Sequence, residues 1–307
     1  MSLLVVGSVA FDSVKTPFGE VEEVLGGSAT YFSTAASYFT DVSLVAVVGE
    51  DFPEEHLSFL KGRGINIDGL ERSAGRTFRW KGEYSYQLNE AKTLETELNV
   101  FQSFHPKLPA SYRDAALVFL ANIDPELQAD VLKQVKSPKL VACDTMNFWI
   151  EGKREALVKT LASVDILIIN DGEARELAGE VNLVKAAKKI RAYGPRILVV
   201  KQGEYGALMF NGEAIFSAPA YPLEDVFDPT GAGDSFAGGF MGYLSKCETL
   251  DDAAIRQAVI YGSTMASFNV EAFSLDRMRS LKEDEIASRY EAFKALTAFE
   301  DVSNLES

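Results

Sequence analysis

D-P-T-G-A-G-D-S-F-A-G-G-F, residues 228–240, joins a turn of small residues to an apolar run that can form a buried helix. Small residues at a helix start leave backbone N–H groups uncovered, and the helix dipole adds to their attraction for an anion. An aspartate beside such a site, here Asp234, can take a proton from a hydroxyl while the N–H groups stabilise a transferred phosphoryl group. The alternative is an ordinary helix start, with Asp234 placed to suit the dipole.

Composition narrows the class of protein. The chain has 307 residues, 47% of them hydrophobic and 24% charged, as in soluble globular proteins. The formal net charge of −15 disfavours nucleic acid and anionic membranes as partners. An anionic substrate such as ATP would therefore need a locally favourable site.

The chain also lacks signals for export. It has no run of about eighteen apolar residues, and its start, MSLLVVGSVAFD, is typical of a first strand and not of a signal peptide. Cys143 and Cys247 have no paired spacing, and His56 and His105 are too few for a histidine metal site. These features predict a cytoplasmic protein.

Short apolar runs alternate with helical candidates along the chain. Strands are predicted at 3–7, 43–49, 116–122, 140–145, 165–170 and 196–203. Helices are predicted at 27–39, 53–63, 125–136, 151–162, 172–178, 182–193, 234–245, 250–268 and 282–298. The alternation predicts an α/β fold, an open and mostly parallel sheet flanked by helices on both faces, with ligands at the carboxyl ends of the strands.

One stretch departs from this alternation. Residues 73–104 place aromatic and polar residues in turn around Gly82 and Asn89-Glu90, which predicts two or three antiparallel strands. With residues 11–25 they form a small β-sheet beside the main one. No linker or repeat divides the chain, and no P-loop or dinucleotide-binding glycine motif occurs.

The segment 228–234 resembles the D-T-x-G-A-G-D signature of the ribokinase-like (PfkB) carbohydrate kinase family, with Pro229 in place of the usual threonine. The resemblance implies one kinase domain over 1–307, whose small sheet forms a lid over the substrate. It also implies that Asp234 is the catalytic base and that the N–H groups of Gly231, Ala232 and Gly233 stabilise the moving phosphoryl group.

Two loops after predicted strands are candidates for nucleotide and metal. Asn170 and Glu173 either form a helix capping box or place oxygen ligands for Mg²⁺, and their spacing resembles the family's N-x-x-E motif. Lys201, Gly203 and Gly206 either form a hairpin turn or approach the nucleotide, as this loop does in relatives.

The acceptor site is expected near the N-terminus. Gly26 and Gly27 resemble the family's first signature, in which paired glycines and a following asparagine bind sugar hydroxyls, but Tyr31 stands at the asparagine position. Asp12 matches an acid that holds substrate hydroxyls in relatives; the sequence alone favours a turn residue at this position.

Three further residues are assigned by resemblance. Asn269 lies where relatives enclose the adenine and is a candidate for nucleotide contact. Asp228 and Thr230 match positions near a monovalent cation site, such as one for K⁺, in some relatives.

The resemblance implies an ATP- and Mg²⁺-dependent kinase acting on a hydroxyl of a sugar. The alternatives are a nucleoside kinase, whose lid aromatics stack on the base, a sugar-phosphate kinase using Arg76, Arg79 and Lys92, and a non-catalytic sugar- or nucleotide-binding regulator. The partner is a small molecule, and the chain is a monomer or a homodimer joined through its lids.

Overall fold

The computed structural model describes residues 1–299. The strands are β1 (Leu3–Val6), β2 (Ala10–Thr16), β3 (Gly19–Gly26), β4 (Val42–Gly49), β5 (Ile65–Ser73), β6 (Phe78–Tyr84), β7 (Ala91–Glu97), β8 (Leu117–Leu120), β9 (Leu140–Cys143), β10 (Ile166–Asn170), β11 (Ile197–Lys201), β12 (Ala207–Asn211) and β13 (Ala214–Ala218).

The helices are α1 (Ser28–Ala36), α2 (Glu54–Gly62), α3 (Pro125–Leu132), α4 (Asn147–Gly152), α5 (Arg154–Leu161), α6 (Asp171–Ala178), α7 (Leu183–Arg191), α8 (Ala232–Lys246), α9 (Asp252–Asn269), α10 (Asp276–Ser280) and α11 (Glu283–Thr297). Within residues 1–299 no helix is both long and apolar enough to span a membrane.

Nine strands form the main sheet in the order β13-β12-β11-β10-β9-β8-β1-β4-β5. Seven neighbouring strands are joined by parallel pairs, while β12 pairs antiparallel with β11 and with β13. The chain leaves β1 first toward β4 and later returns on its other side at β8, so the strand order reverses at β1. Such reversal points open a crevice at the carboxyl ends of the strands.

Each face of the main sheet has its own hydrophobic core. Leu3 and Val5 of β1 join one core with α1, α8 and α9, and Leu4 and Val6 join the other with α3 and α5 to α7. Side chains alternate across a strand, so a run of consecutive apolar residues is what a strand covered on both faces requires. The predicted fold class is confirmed.

A second sheet of four strands, in the order β3-β2-β6-β7, forms the lid. The antiparallel pairing predicted within residues 73–104 is present between β6 and β7. β2 pairs antiparallel with β3, and it joins the two hairpins by pairing parallel with β6. In that parallel register Asp12 lies beside Trp80 and Phe11 beside Arg79. Asp12 and Trp80 therefore share one face of the lid, called the inner face, and Phe11 and Arg79 share the opposite, outer face, on which Phe11 packs against Phe52 and His56.

Five elements were not predicted from the sequence: β5, β12, β13, α4 and α10. Strand β5 reads INIDGLERS and lies at the edge of the sheet, so it lacks the apolar run of a strand covered on both faces. Helices α4 and α10 have only six and five residues, too few to show a helical period. Residues 300–307 of the predicted domain lie outside the described part of the chain.

Candidate active site

The start of α8 makes close contacts at two glycines. Gly231 has φ +73°, and a Cβ on it would collide with the ring of Tyr31. A Cβ on Gly233 would lie 2.7 Å from Nζ of Lys201. The glycines thus bring the backbone of the turn against a phenol ring on one side and an ammonium group on the other, which suits an anion-binding turn.

Asp234 occupies the first turn of α8 and is partly exposed. Desolvation, with the nearby Asp144 carboxylate, raises the pKa of Asp234 to about 7, although Lys201 opposes the shift. A carboxylate whose pKa lies near the working pH is well suited to accept a proton from a hydroxyl.

Strands β9, β10 and β11 end side by side, and polar groups follow each end. Nζ of Lys201 lies 3.4 Å from Oδ2 of Asp144. Burial alone would lower the pKa of Lys201, but Asp144, Glu173 and Asp234 together raise it. Desolvation raises the pKa of Asp144, partly offset by Lys201. Sequence reasoning missed Asp144; its signal is an acid directly after the buried strand LVAC.

Asn170 and Glu173 form a complete capping box at the start of α6. Oδ1 of Asn170 accepts from the Glu173 N–H at 2.8 Å, and Oε2 of Glu173 accepts from the Asn170 N–H at 3.0 Å. Desolvation and Asp144 raise the pKa of Glu173 to about 7. Both residues therefore have a structural role at the rim of the site.

The residues around Lys201 fit a hydrated Mg²⁺. Residues 1–299 contain no cluster of three or more histidines, cysteines or acids that could enclose a metal. Mg²⁺ normally keeps several waters and takes one or two carboxylates besides the substrate phosphates. Glu173 and Asp144 supply such oxygens; burial raises the pKa of both carboxyls, and at Glu173 the charge of Asp144 adds to the shift.

The loop after β11 is a hairpin connection to β12. This was one of the two interpretations of its sequence. The Gln202 N–H donates to the carbonyl oxygen of Gly206 at 2.7 Å, and Gly206 packs against the backbone of Ala218. Gly203 has φ +56° and lies directly against the side-chain amide of Asn89 at the tip of the lid. The lid tip thus touches the loop assigned to the nucleotide.

Asp12 lies at the base of the lid and is only 4% exposed. Gly26 leaves room for its carboxylate, since a Cβ there would collide with Oδ2 of Asp12. Desolvation, together with the charges of Asp228 and Asp234, raises the pKa of Asp12 to about 7, against a hydrogen bond from the Gly27 N–H. The structure therefore groups Asp12, Gly26 and Gly27 near Asp234.

Tyr31 of α1 is 1% exposed and points toward the same acids. Burial first, then Asp12 and Asp228, raises the pKa of Tyr31. Its hydroxyl faces Asp12 closely enough to lower the pKa of that carboxyl. Yet the hydroxyl has no hydrogen-bond partner of normal geometry among residues 1–299.

The inner face of the lid carries an aromatic platform, formed by Trp80 lying over Gly82. A Cβ on Gly82 would collide with the indole ring. Nε1 of Trp80 donates to Oγ1 of Thr93 at 3.2 Å and fixes the ring's orientation. Farther along, the Tyr84 hydroxyl lies 3.4 Å from Oγ1 of Thr230. The platform could not be read from the alternating aromatics alone, since any half-buried strand shows such alternation.

The basic residues of the lid lie on its outer face. Arg79 pairs with Glu23 and with Asp51, and Arg76 pairs with Glu97. Lys92 is opposite Glu83 on the same side. A cavity of about 400 Å³ also opens on this side, lined in part by Phe11, His56, Arg79 and Arg279. The cations suggested for a phosphorylated acceptor therefore face away from Asp12.

Asp228 and Asn269 hold the turn in place. Asp228 accepts hydrogen bonds from the N–H groups of Thr230 and Ser274. The Asn269 amide donates to the Thr230 carbonyl at 2.8 Å and accepts from Ser235 at 2.9 Å. Asn269 is 1% exposed, so its amide serves the turn, and its nucleotide contact stays a prediction.

Residues 2–280 match the model of the pfkB family carbohydrate kinases. The chain belongs to this family. The predicted resemblance is thereby confirmed over nearly the whole chain, and this pfkB kinase is a phosphotransferase.

Relatives of this pfkB kinase include nucleoside kinases and sugar-acid kinases, such as the 2-dehydro-3-deoxygluconokinase of Thermoproteus tenax. The chain is 29% identical over 258 residues to the cytidine kinase of Thermococcus kodakarensis, covering 82% of this chain and 91% of the relative.

Two solved structures share its fold. The nucleoside kinase of Burkholderia thailandensis in complex with ADP and inosine has a TM-score of 0.77 at 17% identity, covering 95% of this chain and 96% of that one. The aminoimidazole riboside kinase of Salmonella enterica, with aminoimidazole riboside and an ATP analogue, has a TM-score of 0.72 at 18% identity, covering 94% and 100%.

Proposed function

We propose that this pfkB kinase transfers the γ-phosphoryl group of ATP to a hydroxyl of a nucleoside. The observation that carries the proposal is the Trp80–Gly82 platform on the lid face that also bears Asp12. A flat, fixed aromatic ring offers a nucleobase about 1–3 kcal/mol of stacking. A free sugar has no comparable use for it, although a sugar was the first expectation from the sequence.

Two further observations support a nucleoside. The relative from Thermococcus kodakarensis is a cytidine kinase. The ion-paired arginines on the outer lid face argue against a sugar phosphate, which needs free cations turned toward it. A purely regulatory role is also disfavoured, since a non-catalytic binder has no need of a carboxylate with a pKa near 7 beside an anion-binding turn.

In the proposed mechanism, Asp234 takes the proton of the acceptor hydroxyl as that oxygen attacks the γ-phosphorus, and the bond from the γ-phosphorus to the bridging oxygen breaks to release ADP. The N–H groups of Gly231, Ala232 and Gly233, with the ammonium of Lys201, hold the negative charge of the phosphoryl oxygens. Mg²⁺ bound with ATP would neutralise phosphate charge, and Glu173 and Asp144, beside Asn170, would hold its water shell. Asp12 holds acceptor hydroxyls, and the lid excludes water, which otherwise competes as acceptor.

The first experiment measures ADP release by the purified protein with cytidine, uridine, inosine, adenosine, ribose and ribose 5-phosphate. We expect at least one nucleoside to exceed both sugars in kcat/KM by tenfold or more. Faster turnover of ribose or ribose 5-phosphate than of every nucleoside would refute the proposed acceptor.

The second experiment replaces the proposed base. Asp234→Asn keeps the shape of the side chain but cannot accept the proton, so kcat should fall by ~10²–10⁴. The Kd for ATP, measured by calorimetry, should change little. If the variant kept most of its turnover on the best acceptor, Asp234 would not be the base.

A further inference from the structure

We propose that the hydroxyl of Tyr84, a residue of the lid, donates a hydrogen bond to the phosphoryl group while that group is transferred. Tyr84 thereby adds a donor from the lid to those that the anion-binding turn and Lys201 supply from the main domain. The inference rests on the proposed mechanism, in which the turn holds the phosphoryl group, but it holds for any acceptor.

The first observation is the position of Tyr84 beside the turn. Its hydroxyl lies 3.4 Å from Oγ1 of Thr230, the residue directly before Gly231. Tyr84 also acts on the pKa of Tyr31, whose ring packs against Gly231. Asp234, in the first turn of α8, acts in the same way on the pKa of Tyr84. These three neighbours place the Tyr84 hydroxyl where it can reach a group held by the turn.

The second observation is that the proton of Tyr84 is not used. Oγ1 of Thr230 is the donor in the bond between them, so within residues 1–299 the Tyr84 hydroxyl accepts one hydrogen bond and donates none. At 3.4 Å that bond is weak, and a phosphoryl oxygen can replace it. The backbone of Thr230 is fixed without Tyr84, since its N–H donates to Asp228 and its carbonyl accepts from Asn269.

The third observation is the charge around the hydroxyl. Burial does most to raise the pKa of Tyr84, and Asp228, Asp12 and Asp234 add to the shift, while the hydrogen bond from Thr230 opposes it. Tyr84 therefore stays a neutral phenol and brings no further negative charge to a site that already holds several acids. A hydrogen bond from such a donor to a charged oxygen is stronger than one to a neutral oxygen.

The cations of the same strand cannot take this part. Side chains alternate across a strand, so Arg79 and Lys81 of β6 lie on the outer face of the lid, whereas Trp80 and Tyr84 lie on the inner face. Because Tyr84 belongs to the lid, its donor is in place only while the lid covers the turn. Transfer to water at an uncovered site is thereby disfavoured.

In the transfer step the acceptor oxygen forms a bond to the γ-phosphorus as the bond to the bridging oxygen of ATP breaks. The acceptor proton passes to Asp234, and Tyr84 keeps its own proton. The hydrogen bond from Tyr84 goes to one of the non-bridging oxygens, on which negative charge is spread during transfer.

The test compares Tyr84→Phe with Tyr86→Phe, using the best acceptor of the panel. Tyr86 is the matched control, because it is also a lid tyrosine but is 91% exposed. Tyr84→Phe should lower kcat by ~10², the cost of removing one donor to a developing oxyanion. The KM values for ATP and for the acceptor should each change less than about threefold, since the contact is made only in the transition state. Tyr86→Phe should leave all three constants unchanged.

A binding measurement gives a second readout that needs no turnover. Aluminium fluoride, added with ADP, Mg²⁺ and the acceptor, mimics the phosphoryl group during transfer. Tyr84→Phe should weaken the binding of this mimic by about the same factor as kcat, and should leave the Kd for ADP alone unchanged. Without ligand the variant should melt at the wild-type temperature, because the bond to Thr230 is weak.

A double-mutant cycle with Thr230→Val separates a direct contact from an effect that acts through Thr230. For a direct contact, Tyr84→Phe lowers kcat by the same factor with and without Thr230→Val. No further loss in the Thr230→Val chain, or a raised KM with an unchanged kcat, would overturn the proposal. If the wild type turns over only a sugar, the proposed acceptor is wrong, and the same variants assayed with that sugar still decide the role of Tyr84.

Discussion

At the scale of single residues, Lys201 counterbalances a group of acids. Its ammonium lies 3.4 Å from Asp144, and Glu173 and Asp234 also act on it. An uncompensated charge inside a protein costs several kcal/mol, so removing one partner of a buried pair costs more than the pair itself gains. Lys201 thus serves the fold and, in the proposed mechanism, the phosphate.

The two roles of Lys201 can be separated with a second substitution. Lys201→Met should lower the free energy of unfolding by about 3 kcal/mol, since it leaves Asp144 unpaired. Asp144→Asn in the same chain should restore most of that stability, because it removes the carboxylate that the first substitution left unpaired. Turnover should stay low in the double variant, because the cation for the phosphate is still absent. Urea unfolding and ATP titration measure the two effects, and recovery of turnover would make Lys201 purely structural.

The sequence predicted which residues would meet, because parallel strands share one carboxyl edge. Asn170 and Lys201 were placed at that edge on this ground, Asp234 was assigned from the helix-start motif, and the structure groups the three. Asp144 was missed although it occupies the same edge, since an acid after a strand is common and no motif marks it. The Trp80–Gly82 platform was missed because it depends on Gly82. With no side chain at Gly82, two residues along the same face, the Trp80 ring can lie flat over that position.

At the scale of elements, the lid and the loop after β11 form one unit. The tip of the lid between β6 and β7 places Asn89 on Gly203, while Tyr84 near the end of β6 contacts Thr230. A movement of the lid therefore changes contacts at both the proposed nucleotide loop and the anion-binding turn. Binding of one substrate can in this way favour the lid position that suits the other.

The lid contact predicts a specific effect of Gly203→Ala. Gly203 and Gly212 both have φ +56°, so alanine is about equally strained at each; but a Cβ at Gly212 meets nothing within 4 Å, whereas one at Gly203 collides with Asn89. Gly203→Ala should raise the KM for ATP several-fold, and Gly212→Ala should not. Adding Asn89→Ala to Gly203→Ala should return the KM toward the wild-type value.

Steady-state kinetics at saturating nucleoside measure this series. Equal KM values for the two single alanine variants would mean that the lid tip does not act on the nucleotide loop. A Gly203→Ala defect that persists after Asn89→Ala would assign it to backbone strain in the loop itself.

Strands were predictable from the sequence where both of their faces are buried. Strands covered on both faces carry continuous apolar runs, and all six predicted ones are present. The parallel pairing of β2 with β6 was not predictable, because these strands lie more than fifty residues apart in the chain and no local turn fixes their register.

At the scale of the whole molecule, negative charge accumulates where the chemistry is proposed. The chain carries a formal net charge of −15, and three carboxyls of the site, those of Asp12, Glu173 and Asp234, have pKa values raised to about 7. A folded protein that holds such groups loses some stability at the site, and a cation bound with ATP restores part of that stability.

Asp12 makes this cost measurable as a pH dependence. Its pKa is about 7 in the folded chain against an ordinary value of 3.8. Between those values the folded state binds a proton that the unfolded state has lost, so stability falls as the pH rises from about 4 to about 7 and stays low above that. Asp12→Asn removes the ionisation and keeps an oxygen that can accept from the Gly27 N–H.

Asp12→Asn should therefore be more stable than the wild type at pH 8, by roughly 2–4 kcal/mol for a shift of about three pKa units. The difference in the free energy of unfolding between the variant and the wild type should narrow steadily as the pH falls from 7 to 4.5, because the wild-type carboxyl then becomes neutral as well. Urea unfolding across this range measures it, with Asp41→Asn as a control at an exposed aspartate. A gap that did not change with pH would show that the ionised Asp12 carboxylate carries no cost in the folded state.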